Sequence, residues 1–182
     1  FSDPNTYKLI LEAIATGKTK LNEIKDFLKV KRTDISPYLK NLTEINLVKR
    51  IVPITETAKS RFGRYYITDN FIKFWFRYIY PNLSSIEEGI FDVHLIKRDY
   101  ASYVGFIFED IVKQFLIRKK VFQFNKIGKW WFKGEEIDIV ALNEESKEIL
   151  FCECKWKEDV DAVRLLEQLK KKSEQVDWHK SE

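Results

Sequence analysis

Hydrophobic residues recur at helical spacing in three short segments at the start of the chain. The first segment, residues 5–16, ends before Gly17, and glycine commonly follows the end of a helix. The second lies within residues 20–28, and the third follows Thr33 or Asp34, either of which can cap a helix. The positions predicted to face inward are, in order, Tyr7, Ile10, Leu11 and Ile14; Leu21, Ile24, Phe27 and Leu28; and Ile35, Leu39 and Leu42.

Two strand-like runs follow these helices, at residues 47–55 and 64–68, with a short link that contains Gly63. Three short helices and then two strands are the order of a winged helix-turn-helix domain, and residues 1–68 resemble that superfamily. The resemblance implies that the third helix enters a DNA groove and that cations near the wing contact phosphates. The predicted DNA-binding residues are Arg32, Tyr38, Lys40, Asn41, Lys49, Arg50, Arg61 and Arg64. The alternative is a docking or spacer module whose charges are solvated.

An aromatic stretch occupies the start of the next segment, residues 69–102, which we interpret as a helical bridge. Its first residues read DNFIKFWFRYIYPNL, and one helix face is predicted to carry Phe71, Phe74, Trp75, Tyr78 and Ile79. The helix is expected to break at Pro81. A base-stacking platform is one interpretation. A core or interdomain helix is favoured, because stacking platforms rarely form continuous helical stripes.

The last segment, residues 103–182, alternates helix and strand patterns in a way that predicts an α+β domain. A helix is expected at 103–120, with Glu109 at the border of its apolar stripe. Three strands follow at 124–132, 136–143 and 148–156, and a helix at 160–172 closes the segment. The inward positions are predicted to be Val104, Phe108, Ile111 and Phe115 in the first helix, and Val163, Leu166 and Leu169 in the last.

The period of two along the last two strands brings charged residues to one face of a hairpin. Asp138 shares its face with Glu136 and Val140, and Glu153 shares its face with Lys155. Two carboxylates so placed can bind Mg²⁺ or Mn²⁺ through oxygen ligands. Lys155 is then suited to position a water or to stabilise a phosphate. The alternative is a set of surface ion pairs, Glu153 with Lys155 or Asp138 with Lys129.

Composition and charge narrow the class of protein. The chain has 182 residues, of which 45% are hydrophobic and 15% aromatic, so it can build packed cores and is not disordered. No run approaches the roughly 20 apolar residues of a membrane span. Residues 1–60 carry eleven Lys and Arg against seven Asp and Glu, so the charge excess lies in the front segment. Cys152 and Cys154 are too close to form a disulfide framework, which indicates a reducing cytoplasm; by alternation they are expected to be core thiols.

The hairpin residues GEEIDIVALN and EILFCECKW resemble the PD-(D/E)xK nuclease-like superfamily. Asp138 matches its aspartate, Glu153-Cys154-Lys155 matches E-x-K, and Glu109 matches the acid of the preceding helix. The resemblance implies that Glu109, Asp138, Glu153 and Lys155 are catalytic and that Asp138 and Glu153 bind the metal. It also implies an α-β-β-β-α-β core. The chain leaves little room for the last strand, which indicates truncation at the C-terminus.

The chain carries, in order, the winged-helix pattern, the stretch YYITDNFIKFWFRYIYPN, and a nuclease-like segment with IGKWW and EIDIVA. Over nearly its whole length it is similar to the C-terminal region of archaeal P-loop ATPases, which carry a winged helix and a nuclease-like domain after the ATPase domain. This implies that ATP binds only in a domain that precedes this chain, and the absence of any methionine fits a fragment. We therefore predict a DNA-binding fragment with a Mg²⁺- or Mn²⁺-dependent nuclease-like site, with DNA and its own ATPase domain as partners. The alternative is a non-catalytic module that regulates the ATPase. The sequence leaves the oligomeric state open.

Overall fold

The computed structural model describes residues 3–29, 34–120 and 122–179, and contacts between residues group the chain into two compact units. Unit 1 comprises residues 1–51 and 61–96, and unit 2 comprises residues 52–60 and 97–182. Both units mix helices with small antiparallel sheets, so the α+β class is confirmed. Within the described ranges, no helix is both long enough and apolar enough to cross a membrane.

Unit 1 begins with three helices, α1 (Pro4–Ala15), α2 (Leu21–Phe27) and α3 (Ser36–Glu44). Asp3 caps α1 by accepting a hydrogen bond from the Thr6 amide, and Gly17 follows the helix with a φ of 95°, which glycine adopts without strain. The predicted helices are therefore present. Their core includes the fully buried side chains Ile10, Ile24, Ile35, Leu39 and Leu42.

Two antiparallel strands follow, β1 (Val48–Ile51) and β2 (Arg64–Ile67), with Val48 opposite Ile67. The strand predicted at 47–55 ends earlier than expected, and the connection to β2 is longer than a short link. The physical reason is that residues 52–60 pack in unit 2. The Ile54 amide donates to the Lys129 carbonyl oxygen at 2.8 Å, and the Ile54 side chain packs against the core of that unit.

The aromatic stretch forms α4 (Asn70–Phe74), a π-helical turn (Trp75–Ile79), a 3₁₀ turn (Tyr80–Asn82) and α5 (Leu83–Glu87). The prediction of one buried aromatic face is wrong in part, because Phe71 is 71% exposed while Ile72 and Phe76 pack on the core of unit 1. The π-helical turn changes the spacing of side chains around the helix axis. Pro81 lies in the first turn of the 3₁₀ segment, where proline is tolerated, and the helical path continues beyond it.

Unit 2 contains the long helix α6 (His94–Lys119) from residue 97 onwards, the strands β3 (Lys126–Phe132), β4 (Glu135–Asn143) and β5 (Glu148–Cys152), and the helix α7 (Ala162–Ser173). The strands form an antiparallel sheet with β4 in the centre. The buried core on one side of this sheet comprises Trp130, Ile137, Val140, Leu142 and Val176, with Leu169 and Trp178 packed against it.

Both long helices of unit 2 differ from their predicted stripes. In α6, Ile111 and Phe115 are more than half exposed. In α7, Val163 and Leu166 are exposed and only Leu169 of the predicted positions packs against the core. Leu165, Leu169 and Lys172 are the half-buried side chains on one face of α7. No strand follows α7 in the part of the chain described up to His179, so the expected final strand is not found there.

Candidate functional site

Unit 2 brings the four predicted catalytic residues together from three parts of the chain. Glu109 comes from the middle of α6, Asp138 from the first half of β4, and Glu153 and Lys155 from the segment directly after β5. The strand predicted at 148–156 ends at Cys152, so the E-x-K residues lie just beyond the sheet ladder. They remain beside β4 because Asp138 holds this segment, as described next.

A change of register in the sheet positions Asp138. Opposite β4, Gly128 pairs with Val140 while Trp130 pairs with Ile137, so the strand has an irregularity at Asp138 and Ile139. Ile137 and Val140 consequently pack in the same core, which strict alternation does not allow. The prediction that Val140 shares the face of Asp138 is therefore wrong. Bulges of this kind re-aim a side chain, here a carboxylate.

The Asp138 carboxylate joins β4 to the segment after β5. Its Oδ2 accepts a hydrogen bond from the Cys154 amide at 2.8 Å. Burial raises the pKa of Asp138, the Cys154 amide opposes this rise, and the negative charge of Glu153 adds to it. Lys155 and Lys129 both act in the opposite direction, so all of these charges lie within electrostatic reach of Asp138.

Glu109 forms an ion pair with Lys129 of β3, and the two side chains are 15% and 19% exposed. Burial raises the pKa of Glu109 despite the opposing charge of Lys129, and Asp138 raises it further. The ion pair that the sequence suggested between Asp138 and Lys129 is thus replaced by one between Glu109 and Lys129. The pair is mostly buried, unlike a surface ion pair.

Glu153 is the most deeply buried acid of the site, with a side chain only 6% exposed. Its Oε1 lies 2.5 Å from the Lys172 Nζ and 3.6 Å from the Lys155 Nζ. Its Oε2 is buried and has no hydrogen-bond partner among the described residues. A buried carboxylate oxygen without a partner is costly, so this atom is suited to a ligand that brings positive charge.

Lys172 was not predicted as a site residue. Its ammonium donates to the Glu136 carbonyl oxygen at 2.9 Å as well as to Glu153, so it ties α7 to the start of β4. A sequence signal exists, because Leu165, Leu169 and Lys172 recur at i, i+4 and i+7 and so share one helix face. The basic run Lys170–Lys172 hides it, since such a run is typical of a solvated helix end.

The carboxylate oxygens of this site can supply only some of the ligands that a divalent cation needs. Asp138 and Glu153 provide the carboxylate oxygens that Mg²⁺ and Mn²⁺ prefer, and Glu153 Oε2 is the unpartnered atom. Over residues 3–29, 34–120 and 122–179, no group of three or more His, Cys, Asp and Glu side chains is placed to hold a metal ion. A cation bound here would therefore take its remaining ligands from water or from a substrate, which is common for Mg²⁺.

The two cysteines flank Glu153 and are half-buried instead of lying in the core. A hydrogen bond between their thiols raises the pKa of Cys154, and burial raises it further. The same hydrogen bond lowers the pKa of Cys152, against the effect of burial and of the charges of Asp138 and Glu153.

The predicted DNA-binding residues of unit 1 differ in exposure. Lys40, Lys49, Arg50 and Arg61 are exposed and Arg64 is half-buried. Tyr38 and Asn41 contact α1: the Tyr38 ring lies 4.9 Å from that of Tyr7, and the Asn41 amide donates to the Tyr7 hydroxyl oxygen at 2.6 Å. Arg32 lies outside the described residues. DNA contact by these residues stays a prediction.

Comparisons with known proteins place this chain among archaeal and bacterial sequences. Residues 75–174 match the family model DUF234, described as archaeal and bacterial proteins of unknown function. The chain is also similar to an uncharacterized protein of Methanocaldococcus jannaschii, MJECL04, with 55% identity over 183 aligned residues. The match covers 97% of this chain but 42% of that relative, so the chain spans less than half of the relative's length. No solved structure matches the chain.

Proposed function

The chain belongs to this family of archaeal and bacterial proteins of unknown function, and on that premise we propose that unit 2 is a nuclease-like domain that uses Mg²⁺ or Mn²⁺. Its site is formed by Glu109, Asp138, Glu153 and Lys155. The unpartnered Oε2 of Glu153 carries this proposal, because a folded protein rarely buries a carboxylate oxygen that nothing satisfies. A divalent cation satisfies it and also offsets the repulsion between Glu153 and Asp138.

Each side chain has a distinct part in the proposed site. Asp138 and Glu153 hold the cation, which when bound neutralises phosphate charge and lowers the pKa of a water. Lys155, whose side chain is 37% exposed, can donate a hydrogen bond to a substrate phosphate or to the attacking water. Glu109 adds negative charge next to Asp138, and Lys129 fixes the Glu109 carboxylate in place.

We further propose that unit 1 binds DNA as a winged helix. The order of its elements, α1, α2, α3, β1 and β2, supports this assignment. Four exposed cations, Lys40, Lys49, Arg50 and Arg61, lie on α3, on β1 and before β2. Exposed cations of this kind contact phosphates and set the position of a protein on a duplex.

The match covers only 42% of the Methanocaldococcus jannaschii relative, and this supports a larger parent protein for the chain. We propose that a P-loop ATPase domain precedes this chain, that ATP binds there, and that the nuclease-like and DNA-binding parts act together with it. The two free cysteines suit a reducing cytoplasm.

The test is cleavage of plasmid and branched DNA by the chain in Mn²⁺, compared with the Asp138→Asn variant. This substitution removes the negative charge but keeps a side-chain oxygen that can accept the hydrogen bond from the Cys154 amide. Asp110→Asn on the exposed side of α6 is the control. The proposal expects cleavage by the wild type and by the control but not by Asp138→Asn. Cleavage that persists in Asp138→Asn would overturn the assignment.

A second candidate is a non-catalytic module that docks on or regulates the ATPase. The two ion pairs of the site favour it, because Lys129 and Lys172 already neutralise Glu109 and Glu153 without a metal. Titration calorimetry separates the two candidates. Binding of Mn²⁺ that Asp138→Asn abolishes supports the nuclease-like site, whereas an absence of binding at millimolar Mg²⁺ and Mn²⁺ together with an absence of cleavage supports the regulatory module.

A further inference from the structure

A cleft of about 380 Å³ opens next to Lys155, between the segment after β5 and the first turns of α7. Its size is at the lower end of that of small-ligand sites, roughly 300–1,000 Å³. All of its lining residues belong to unit 2, and they are Lys155, Lys157, Asp159, Val160, Asp161, Arg164, Leu165 and Gln168. None of them except Lys155 takes part in the site described above.

Charged side chains of both signs line this cleft. Lys155, Lys157 and Arg164 face two acids, Asp159 and Asp161. Asp161 is the N-cap of α7 and accepts a hydrogen bond from the Arg164 amide at 3.0 Å, so its charge is partly satisfied by the helix end. Neither Lys157 nor the Arg164 guanidinium forms an ion pair within the described ranges. Lys157 and Arg164 can therefore turn towards an anion that enters the cleft, although Asp159 and Asp161 line it as well.

Lys155 connects the cleft with the carboxylate site. Its ammonium lies 3.6 Å from Glu153 Oε1 and its side chain also lines the cleft. An anion bound in the cleft would therefore be separated from the Glu153 carboxylate by the Lys155 ammonium, which carries the opposite charge to both. Gln168, whose amide has both donors and an acceptor, lies at the same opening.

We propose that this cleft binds a backbone phosphate of a nucleic-acid strand, next to the phosphate that would bind at Asp138 and Glu153 in the proposed nuclease-like site. The proposal rests on the proposed function, since it names where the substrate of that site extends. Arg164 and Lys157 supply the charge, and Arg164 can bind two phosphate oxygens at once. A polynucleotide fits the cleft because its backbone places a second phosphate beside the one at the carboxylates, with Lys155 between the two positions.

The test measures binding of a fluorescein-labelled oligonucleotide, single-stranded and as a duplex, by the full chain without a divalent metal. The variant is Lys157→Gln with Arg164→Gln. The control is Lys170→Gln with Lys171→Gln, which removes two exposed cations from the same helix outside the cleft. The cleft variant should bind roughly tenfold more weakly, and its slope of log affinity against log salt should fall by about 1.4–1.8 for two lost phosphate contacts. Equal losses in the two variants would overturn the proposal.

A competition arm with inorganic phosphate identifies the ligand. We expect millimolar inorganic phosphate to leave most of the labelled strand bound. Displacement of the strand by inorganic phosphate from the wild type, but not from the cleft variant, would instead make free phosphate the ligand and would contradict a strand site. Calorimetry with Mn²⁺ keeps the two proposals apart. If the cleft variant binds the strand as tightly as the wild type and the wild type binds Mn²⁺, the proposed phosphate site in the cleft is wrong but the metal site stands. If the wild type does not bind Mn²⁺, the proposed metal site is wrong.

Discussion

The ammonium of Lys172 lies 2.5 Å from Glu153 Oε1, so a lysine from α7 neutralises an acid that follows β5. Glu153 is 6% and Lys172 is 21% exposed, which makes this one of the more buried ion pairs in the described part of the chain. Lys172 also binds the Glu136 carbonyl oxygen. The same lysine thus fixes the position of Glu153 and fastens α7 to the sheet.

Replacement of Lys172 by Met should destabilise the chain in the absence of metal by about 3 kcal/mol, because it leaves the charge of Glu153 buried and unpaired. Mn²⁺ should restore part of the loss, since a cation at Glu153 replaces the missing positive charge. Urea unfolding followed by circular dichroism, with and without Mn²⁺, measures both effects.

Lys171→Met is the matched control, because it removes an exposed lysine from the adjacent position of α7. Its effect should stay within about 0.5 kcal/mol, as for most surface substitutions. Equal effects of the two substitutions would show that the contact between Lys172 and Glu153 has no net value. A loss in Lys172→Met that Mn²⁺ does not reduce would count against a cation at Glu153.

The acids of the site should make stability and metal affinity respond to pH in opposite directions. Burial raises the folded-state pKa of Asp138 above its ordinary value of 3.8 and that of Glu109 above 4.5. Ionisation therefore costs stability above the folded-state pKa, and the cost disappears as the pH falls through it towards the ordinary values. Because a protonated Asp138 cannot bind a cation, metal affinity should fall over the same range.

Asp138→Asn tests the sign of this effect. The variant carries no ionisable group at this position, so its stability relative to the wild type should be greatest at neutral pH and should decrease as the pH falls. Urea unfolding of both proteins between about pH 4.5 and pH 8 gives the difference. A difference that grows as the pH falls would mean that the folded state lowers the pKa of Asp138, contrary to the dominance of burial.

Local patterns in the sequence were sufficient for several elements and failed at identifiable places. The stripes of α1, α2 and α3 predicted their buried residues because these helices are regular and bury one face. Alternation along β4 failed after Asp138, because no local pattern reports the register change opposite Lys129. In the aromatic stretch, the face formed by Ile72 and Phe76 packs on the core of unit 1, whereas Phe71 of the predicted face is exposed.

In the candidate site, too, some contacts could be predicted from local sequence patterns and others could not. The short-range pattern of the hairpin was enough to predict that Asp138, Glu153 and Lys155 lie close together, since Glu153 and Lys155 directly follow β5, the strand that pairs with β4. The pairing of Glu109 with Lys129 and of Glu153 with Lys172 depends on how two helices lie on the sheet. Such long-range contacts are set by tertiary packing, which the spacing of residues along the chain does not specify.

The exposed cations of unit 1 should contribute to DNA affinity without sequence preference. In the proposed winged helix, Lys49 and Arg61 contact phosphates, so Lys49→Gln with Arg61→Gln should weaken duplex binding similarly for unrelated sequences. The slope of log affinity against log salt should fall by about 1.8. Fluorescence anisotropy over a series of salt concentrations measures this slope.

Lys8→Gln with Lys18→Gln is the control for this pair, since it removes two exposed lysines elsewhere in unit 1. Its salt slope should match that of the wild type. A slope that changes as much in the control as in the Lys49 and Arg61 variant would indicate a diffuse attraction by net charge. A slope unchanged in both variants would remove these two residues from the DNA interface.

The two thiols beside Glu153 should differ in reactivity. The hydrogen bond between them lowers the pKa of Cys152 and raises that of Cys154, so Cys152 carries the larger thiolate fraction at mildly alkaline pH. Iodoacetamide at about pH 8, followed by peptide mass spectrometry, should therefore modify Cys152 first. Cys154→Ala should slow the modification of Cys152, because it removes the hydrogen bond that stabilises the thiolate. Faster modification in this variant would mean that Cys154 shields its neighbour instead of activating it, since the two side chains are both half-buried.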